Sequence, residues 1–225
     1  MKKNIVFVVL ISIFYSIFAV NPQTIEDKLL QKKERKILNY YFQAKARGRI
    51  PKLHVLDSIT AEFDSGDYTV KDTKLVDVVR YLSEEGSIRQ EYENNLLVND
   101  FPDVRRNACI LLGKIGGEQA REALINVLAY DTSYMVKAEA CNSLALIKDD
   151  PTGSVLRTIV FVYRSTYQPD ANFTVAVINA IKTIAKGNEQ VYGDAITVLS
   201  EIQMGQHARR VREEAYNAID SLNED

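Results

Sequence analysis

The stretches "VRRNACILLGKIGG" (Val104–Gly117) and "VKAEACNSLALIKD" (Val136–Asp149) begin 32 positions apart and share one pattern. In each, a valine precedes a basic residue, and apolar residues return four, eight and eleven positions after the valine. That spacing places them along one side of an α-helix. Stretches beginning at Phe173 and Val211 carry apolar residues at the same intervals, so we interpret all four as copies of one repeated helix. The four stripes are Val104, Ala108, Leu112 and Ile115; Val136, Ala140, Leu144 and Ile147; Phe173, Val177, Ile181 and Ile184; and Val211, Ala215, Ile219 and Leu222.

A second apolar helix is predicted between successive copies, within residues 117–131, 152–165 and 188–202. Turn-forming residues separate the predicted helices, among them Gly116-Gly117 and Gly187-Asn188. The sequence therefore predicts an all-α fold, an α-solenoid of antiparallel helix pairs preceded by N-terminal helices.

The predicted organisation has three parts. Residues 1–19 form an export segment, residues 20–70 an N-terminal helical region, and residues 71–225 the repeat domain. Within the repeat domain we place units near 71–100, 101–132, 133–170 and 171–207, with a half-unit at 208–225. The first unit is a degenerate cap, with Leu75, Val79 and Leu82 on its first helix and a second helix predicted around residues 88–98.

Charge is unevenly distributed around a formal net charge of −2. Residues 24–52 contain nine basic and three acidic side chains, whereas residues 53–100 contain four basic and eleven acidic ones. The repeats present no broad basic field of the kind that a nucleic-acid binder needs, so we expect no nucleic-acid partner.

The N-terminus has the pattern of an export signal. Lys2 and Lys3 precede the apolar run "IVFVVLISIFYSIFAV" (Ile5–Val20), which is typical of a secretory signal peptide with cleavage after Ala19. An uncleaved membrane anchor is the alternative, in which the basic residues that follow would contact the membrane surface. Either interpretation places the chain in the periplasm or anchored in the membrane facing it.

No constellation of reactive side chains emerges from the sequence. The only histidines, His54 and His207, have no second metal ligand at helical spacing, and neither Cys109 nor Cys141 has a nearby histidine. We therefore expect no catalytic residues, no metal, no cofactor and no small-molecule substrate. The two cysteines occupy equivalent positions of neighbouring repeats, so buried thiols are favoured over a disulfide, because packed helices lie farther apart than a disulfide spans.

The segment "DVRRNACILLGKIGGEQAREALINVL" (Asp103–Leu128) resembles the HEAT-like repeats found in phycobilisome lyases and many bacterial proteins. Asp103-Val104-Arg105, Ala108 and Leu112-Gly113-Lys114-Ile115-Gly116 occupy the positions typical of that repeat. The third copy departs from it, with Thr174 at the basic position. The resemblance implies a right-handed solenoid with a binding surface along one side, and it implies no single chemistry. Two polar ladders between repeats are expected, from Asp103 with Arg105 and from Arg210 with Arg212.

One surface is the candidate binding site for a protein. Arg157, Phe161 and Arg164 share a face of the second helix in the middle unit, with Tyr163 and Tyr167 nearby. Aromatic residues flanked by arginines are typical of binding hot spots, although Phe161 could instead pack beneath a neighbouring helix. The candidate protein-binding residues are Arg157, Phe161, Arg164 and Tyr167.

The sequence thus favours an exported, non-enzymatic HEAT-repeat scaffold that binds another envelope or periplasmic protein. The alternative, suggested only by the resemblance, is a subunit of a lyase-like or cofactor-handling enzyme complex.

The export interpretation is tested by the mass of the mature protein. Cleavage after Ala19 predicts a chain that begins at Val20 when the protein is expressed in its own host, and intact-mass spectrometry measures this directly. A mature chain that retains Lys2 and Lys3 would contradict cleavage and support the uncleaved membrane anchor.

Overall fold

A computed structural model describes residues 24–224. Within these residues lie ten α-helices and two short β-strands. By their internal contacts the residues divide into two units, with the boundary between Asn39 and Tyr40, inside the first helix. The elements in chain order are α1 (Ile25–Ala44), α2 (Arg49–Asp64), α3 (Thr73–Glu84), β1 (Tyr92–Glu93), β2 (Leu96–Leu97), α4 (Pro102–Ile115), α5 (Gly117–Tyr130), α6 (Tyr134–Ile147), α7 (Ser154–Ser165), α8 (Ala171–Ala185), α9 (Glu189–Met204) and α10 (Arg209–Asn223).

Local sequence explains where several helices begin and end. Thr24 and Asp27 form a capping box at the start of α1, in which each side chain accepts a hydrogen bond from the other's backbone N–H. Pro102 stands in the first turn of α4, where its missing N–H costs nothing. The carboxylate of Asp150 accepts hydrogen bonds from the backbone N–H groups of Val155 and Leu156 at the start of α7, both at 3.0 Å.

From α4 onward the helices alternate between two roles. The first helices of the pairs (α4, α6, α8 and α10) pack directly against one another in sequence order, and the second helices (α5, α7 and α9) pack against them. The four predicted stripes form the core of this array: all their residues are buried except Ile147 and Ile219, which are half-buried. The prediction of an all-α solenoid of antiparallel helix pairs is confirmed.

Two small residues set the distance between α4 and α6. A Cβ atom added at Gly113 would lie 2.7 Å from the Cβ atom and 2.9 Å from the Cα atom of Ser143, which is closer than packed atoms allow. The Ser143 hydroxyl donates a hydrogen bond of 2.8 Å to the backbone carbonyl of Cys109. Both cysteines, Cys109 and Cys141, are buried free thiols, and burial raises the pKa of each, that of Cys141 to about 12.

The predicted second helix of the first unit, around residues 88–98, is wrong. The chain forms a β-hairpin there, in which Tyr92 pairs with Leu97 and Glu93 with Leu96. Asn94 and Asn95 both adopt positive φ angles, 50° and 64°, as a two-residue type I′ hairpin turn requires. Asparagine tolerates this conformation better than other residues with a Cβ atom. The short apolar pattern fits a helix or a strand equally well, so the preference of the two asparagines for a tight turn decides in favour of the hairpin.

Of the polar contacts expected between repeats, Arg105 forms them, to Glu85 and Asp100 of the preceding unit, but Asp103 does not. The Asp103 carboxylate accepts a hydrogen bond of 2.5 Å from Arg49 instead. Arg105 is 1% exposed and points into the array, where it contacts other partners. Arg105 comes directly after Val104, the first residue of its stripe, and lies on a side of α4 that neighbouring segments cover. Among the described residues, neither Arg210 nor Arg212 forms an ion pair with another repeat, so the second expected ladder is not seen.

Two helical glycines, one crowded and one not, should respond in opposite ways to substitution by alanine. Gly113→Ala should lower the free energy of unfolding by about 1–3 kcal/mol, because the new methyl group overpacks against Ser143. Gly193→Ala in α9 should raise it by about 0.5–1 kcal/mol, because nothing lies within 4 Å of the added carbon and alanine favours the helix. Urea unfolding of both variants measures these two changes in the free energy of unfolding. Equal effects of the two substitutions would contradict the close approach of α4 and α6.

Candidate functional site

The candidate protein-binding residues lie at a groove between the second helices α7 and α9. The groove has a volume of about 400 Å³. From α7 it is lined by Arg157, Val160, Phe161, Arg164 and Ser165, and from α9 by Asp194, Thr197 and Val198. The structure therefore brings together three of the four predicted residues.

Phe161 is 70% exposed, so its ring does not pack beneath a neighbouring helix. Of the two interpretations of this residue, the structure supports the exposed one. The core side of α7 is occupied instead by Val155, Ile159 and Val162, as the helical pattern predicted. An exposed phenylalanine at the edge of a groove presents apolar area that contact with a partner would cover.

The two arginines are held in place by hydrogen bonds. Arg164 forms a bidentate pair with Glu201 of α9, with distances of 3.0 Å from Nε and 2.6 Å from an Nη atom. Hydrogen bonding to Glu201 raises the pKa of the Arg164 guanidinium, so it stays charged. Arg157 donates to the backbone carbonyl of Thr152, before the start of α7. Both arginines therefore line the groove with part of their side-chain freedom already restricted.

The two tyrosines near the groove occupy different environments. The Tyr163 hydroxyl lies 2.9 Å from Nε2 of His207, and burial raises the pKa of this tyrosine. Tyr167 is 84% exposed, but it follows α7 and is not among the residues that line the groove. Its backbone carbonyl accepts a hydrogen bond from the Tyr134 hydroxyl. The structure thus separates Tyr167 from the other three predicted residues.

A cluster of buried charges was missed by the sequence interpretation. The Lys52 ammonium group and the Glu85 carboxylate are 2.8 Å apart, and both side chains are almost fully buried. Lys52 also donates to the backbone carbonyls of Ala44 and Ala46. Burial raises the pKa of Glu85, and the hydrogen bond and charge of Lys52 oppose that effect. Such pairs escape sequence analysis because helical periodicity assigns charged residues to the exposed side of a helix.

Arg105 extends the same cluster. Its guanidinium contacts Asp131 at 2.6 Å, Asp100 at 2.7 Å and the backbone carbonyl of Glu85 at 3.0 Å. Burial alone would lower the pKa of Arg105, but the hydrogen bonds to Asp131 and Asp100 outweigh it and raise that pKa. Each of these charged side chains has an oppositely charged partner, and one carboxylate oxygen of Glu85 is buried without a hydrogen bond. Because every charge is paired, we assign the cluster a structural role.

Residues 24–224 contain neither a metal-binding cluster nor a membrane-spanning helix. No group of three or more histidine, cysteine, aspartate or glutamate side chains in that range is placed to hold a metal ion. None of the helices in it combines the length and the apolar character needed to cross a membrane. The predicted export segment, residues 1–19, lies outside the described residues.

Comparison with known proteins identifies the repeat. Residues 94–160 match the sequence model of the family described as HEAT repeats. Residues 94–160 therefore contain HEAT repeats, and the prediction of HEAT-like repeats is confirmed. No curated protein matches this sequence.

A solved structure, the complex of CpcE and CpcF of phycocyanin lyase from Nostoc sp. PCC7120, has a similar fold, with a TM-score of 0.55. The two sequences are 21% identical, and the alignment covers 83% of this chain and 64% of the other. The chain therefore spans less than two thirds of the length of the structure that it matches.

This comparison corrects the expectation that the chain is not an enzyme. The structure with the similar fold belongs to a lyase complex. The lack of a catalytic triad or a metal-ligand spacing in the sequence therefore does not argue against an enzymatic role, because function is defined by sites and assemblies rather than by the fold.

Proposed function

We propose that the chain is a subunit of a lyase-like enzyme complex, in which it binds a partner protein. The observation that carries this proposal is the similarity of its fold to the CpcE–CpcF complex of phycocyanin lyase, a structure in which two proteins occur together. The periplasm, or the membrane facing it, remains the location that we propose from the sequence.

The groove between α7 and α9 is the surface that we propose for the partner. Phe161 supplies a large apolar anchor, and Arg157 and Arg164 supply planar cations beside it. Aromatic and arginine side chains dominate the energy of protein interfaces, and both arginines are already hydrogen-bonded, which reduces the entropy lost on binding. The carboxylate of Asp194 on α9 adds hydrogen-bond acceptors at the same groove.

The complex can be tested by isolating it from the native host. We expect the full chain, tagged at its C-terminus, to retain one partner in equal amounts. We expect the purified pair to carry a small organic molecule that absorbance and mass spectrometry detect, and that the chain alone does not hold. Recovery of the chain alone, or of a pair without any bound molecule or turnover, would contradict the enzyme-complex proposal.

The role of the groove can be tested with one substitution measured in two ways. Phe161→Ala should weaken capture of that partner about 30-fold or more, as expected for a hot spot. Its free energy of unfolding should change by less than about 0.5 kcal/mol, because the ring is exposed. Leu146→Ala, at an exposed leucine of α6, is the matched control and should leave both quantities unchanged. Full capture by Phe161→Ala would place the partner on another surface.

A further inference from the structure

The repeats place three asparagines at equivalent positions on successive first helices. Asn142 on α6, Asn179 on α8 and Asn217 on α10 each lie six residues after the first residue of their stripe. All three side chains are exposed. We call these three residues the asparagine ladder. The corresponding position of α4 is Ile110, so the ladder begins at α6.

The ladder amides have free hydrogen-bonding capacity. Within residues 24–224, none of the three makes a side-chain hydrogen bond, and all three line open cavities. Asn142 and Asn179 line one cavity of about 390 Å³, and Asn217 lines a second of about 310 Å³. A carboxamide carries two donor hydrogens and an acceptor oxygen, so it can bind the N–H and the C=O of a peptide backbone together.

The spacing of the ladder fits one backbone conformation. The helices α6, α8 and α10 are in direct contact, and packed helices lie about 8–10 Å apart. A polyproline-II segment has three residues per turn and rises about 3.1 Å per residue, so it presents the same face roughly every 9 Å. A β-strand presents the same face every second residue, at about 6.7 Å, which does not match. The polyproline-II backbone also has no internal hydrogen bonds, so its polar groups are available.

The side chains around the ladder favour a particular composition. The first cavity is also lined by Tyr134, whose ring stacks on Phe173 with centroids 6.0 Å apart, and by Met135, which is 46% exposed. Such aromatic and apolar walls accept proline rings. The second cavity is lined by the exposed Tyr216 and by three charged residues. Arg209 pairs with Glu213 at 2.6 Å, so Arg212 carries the positive charge that this pair does not neutralise. The excess of positive charge at that end favours an acidic residue in the bound segment.

We propose that the asparagine ladder binds a proline-rich segment of a partner protein in the polyproline-II conformation, with an acidic residue of that segment at Arg212. The ladder lies on the first helices, whereas the groove with Phe161 lies between second helices. The inference therefore goes beyond the proposed function, and the peptide site does not depend on the lyase-like complex.

A phage-displayed library of random 12-residue peptides, panned on the full chain, tests this inference. We expect enriched peptides to contain prolines in a three-residue pattern and an acidic residue at one end. Fluorescence polarisation with a labelled copy of the strongest peptide should show binding about five- to tenfold weaker for Asn142→Ala and for Asn179→Ala, the loss of about one hydrogen bond. Inserting one residue in the middle of the peptide should weaken binding similarly, because it shifts the second half out of register.

Two control variants make the result specific. Asn172→Ala removes an exposed amide that lines the same first cavity outside the ladder, and it should change peptide affinity less than twofold. Phe161→Ala should leave peptide binding unchanged, which separates this site from the α7–α9 groove. Thermal melting should be the same for all the asparagine variants, because their side chains are exposed.

Several outcomes would overturn the inference. They are the absence of any enriched peptide, equal losses for Asn172→Ala and Asn179→Ala, tolerance of the inserted residue, and loss of peptide binding in Phe161→Ala. Failure to capture a partner from the host would contradict the proposed function, but it would not affect the conclusion drawn from the peptide measurements.

Discussion

A single buried guanidinium group, that of Arg105, constrains much of the array. An unpaired charge in a protein interior costs several kcal/mol, so the partners of Arg105 must remain where they are. Those partners come from three separate places: the backbone carbonyl of Glu85 after α3, Asp100 after the β-hairpin, and Asp131 between α5 and α6. The side chain of Glu85 then pairs with Lys52, which binds the carbonyl groups at the end of α1. One polar chain therefore links segments from Ala44 to Asp131.

The sequence predicted the parts of the fold that depend on periodicity. The stripes beginning at Val104 and Phe173 are buried because a helix pair cannot cover its apolar side alone and must stack on its neighbours. The hairpin at Asn94-Asn95 could not be predicted from periodicity, because its strands have only two residues each and their apolar pattern suits a helix equally well. Buried charges such as Arg105 were missed for a related reason, since their burial depends on contacts between segments distant in sequence.

The candidate site was predicted in part. Arg157, Phe161 and Arg164 share a helix face by local spacing, and the structure places all three at one groove. Tyr167 lies outside that groove because the chain leaves the helical path after Ser165. The asparagine ladder was detectable in principle, because the repeat alignment that defined the stripes also aligns its three positions. Hydrophobic periodicity does not reveal it, because exposed amides carry no apolar signal.

The two surfaces suit different kinds of contact. The groove beside Phe161 offers an apolar anchor between oriented arginines, which fits a folded partner. The ladder offers amides at the spacing of the repeat, which fits an extended segment. A solenoid can combine both surfaces because its first and second helices lie on opposite sides of the same pairs. A helical-repeat protein can thus contribute binding surfaces without a catalytic constellation of its own.

The most direct test of this account is a double-mutant cycle on the buried pair of Arg105 and Asp131, measured by urea unfolding. Arg105→Met leaves a buried carboxylate without its cation and should cost about 3–5 kcal/mol. Asp131→Asn keeps an acceptor for the backbone N–H of Ser133 and removes the charge. If charge pairing fixes these loops, adding Asp131→Asn to Arg105→Met should recover about 2 kcal/mol or more. Additive losses in the double variant would show that helix packing alone holds the array together.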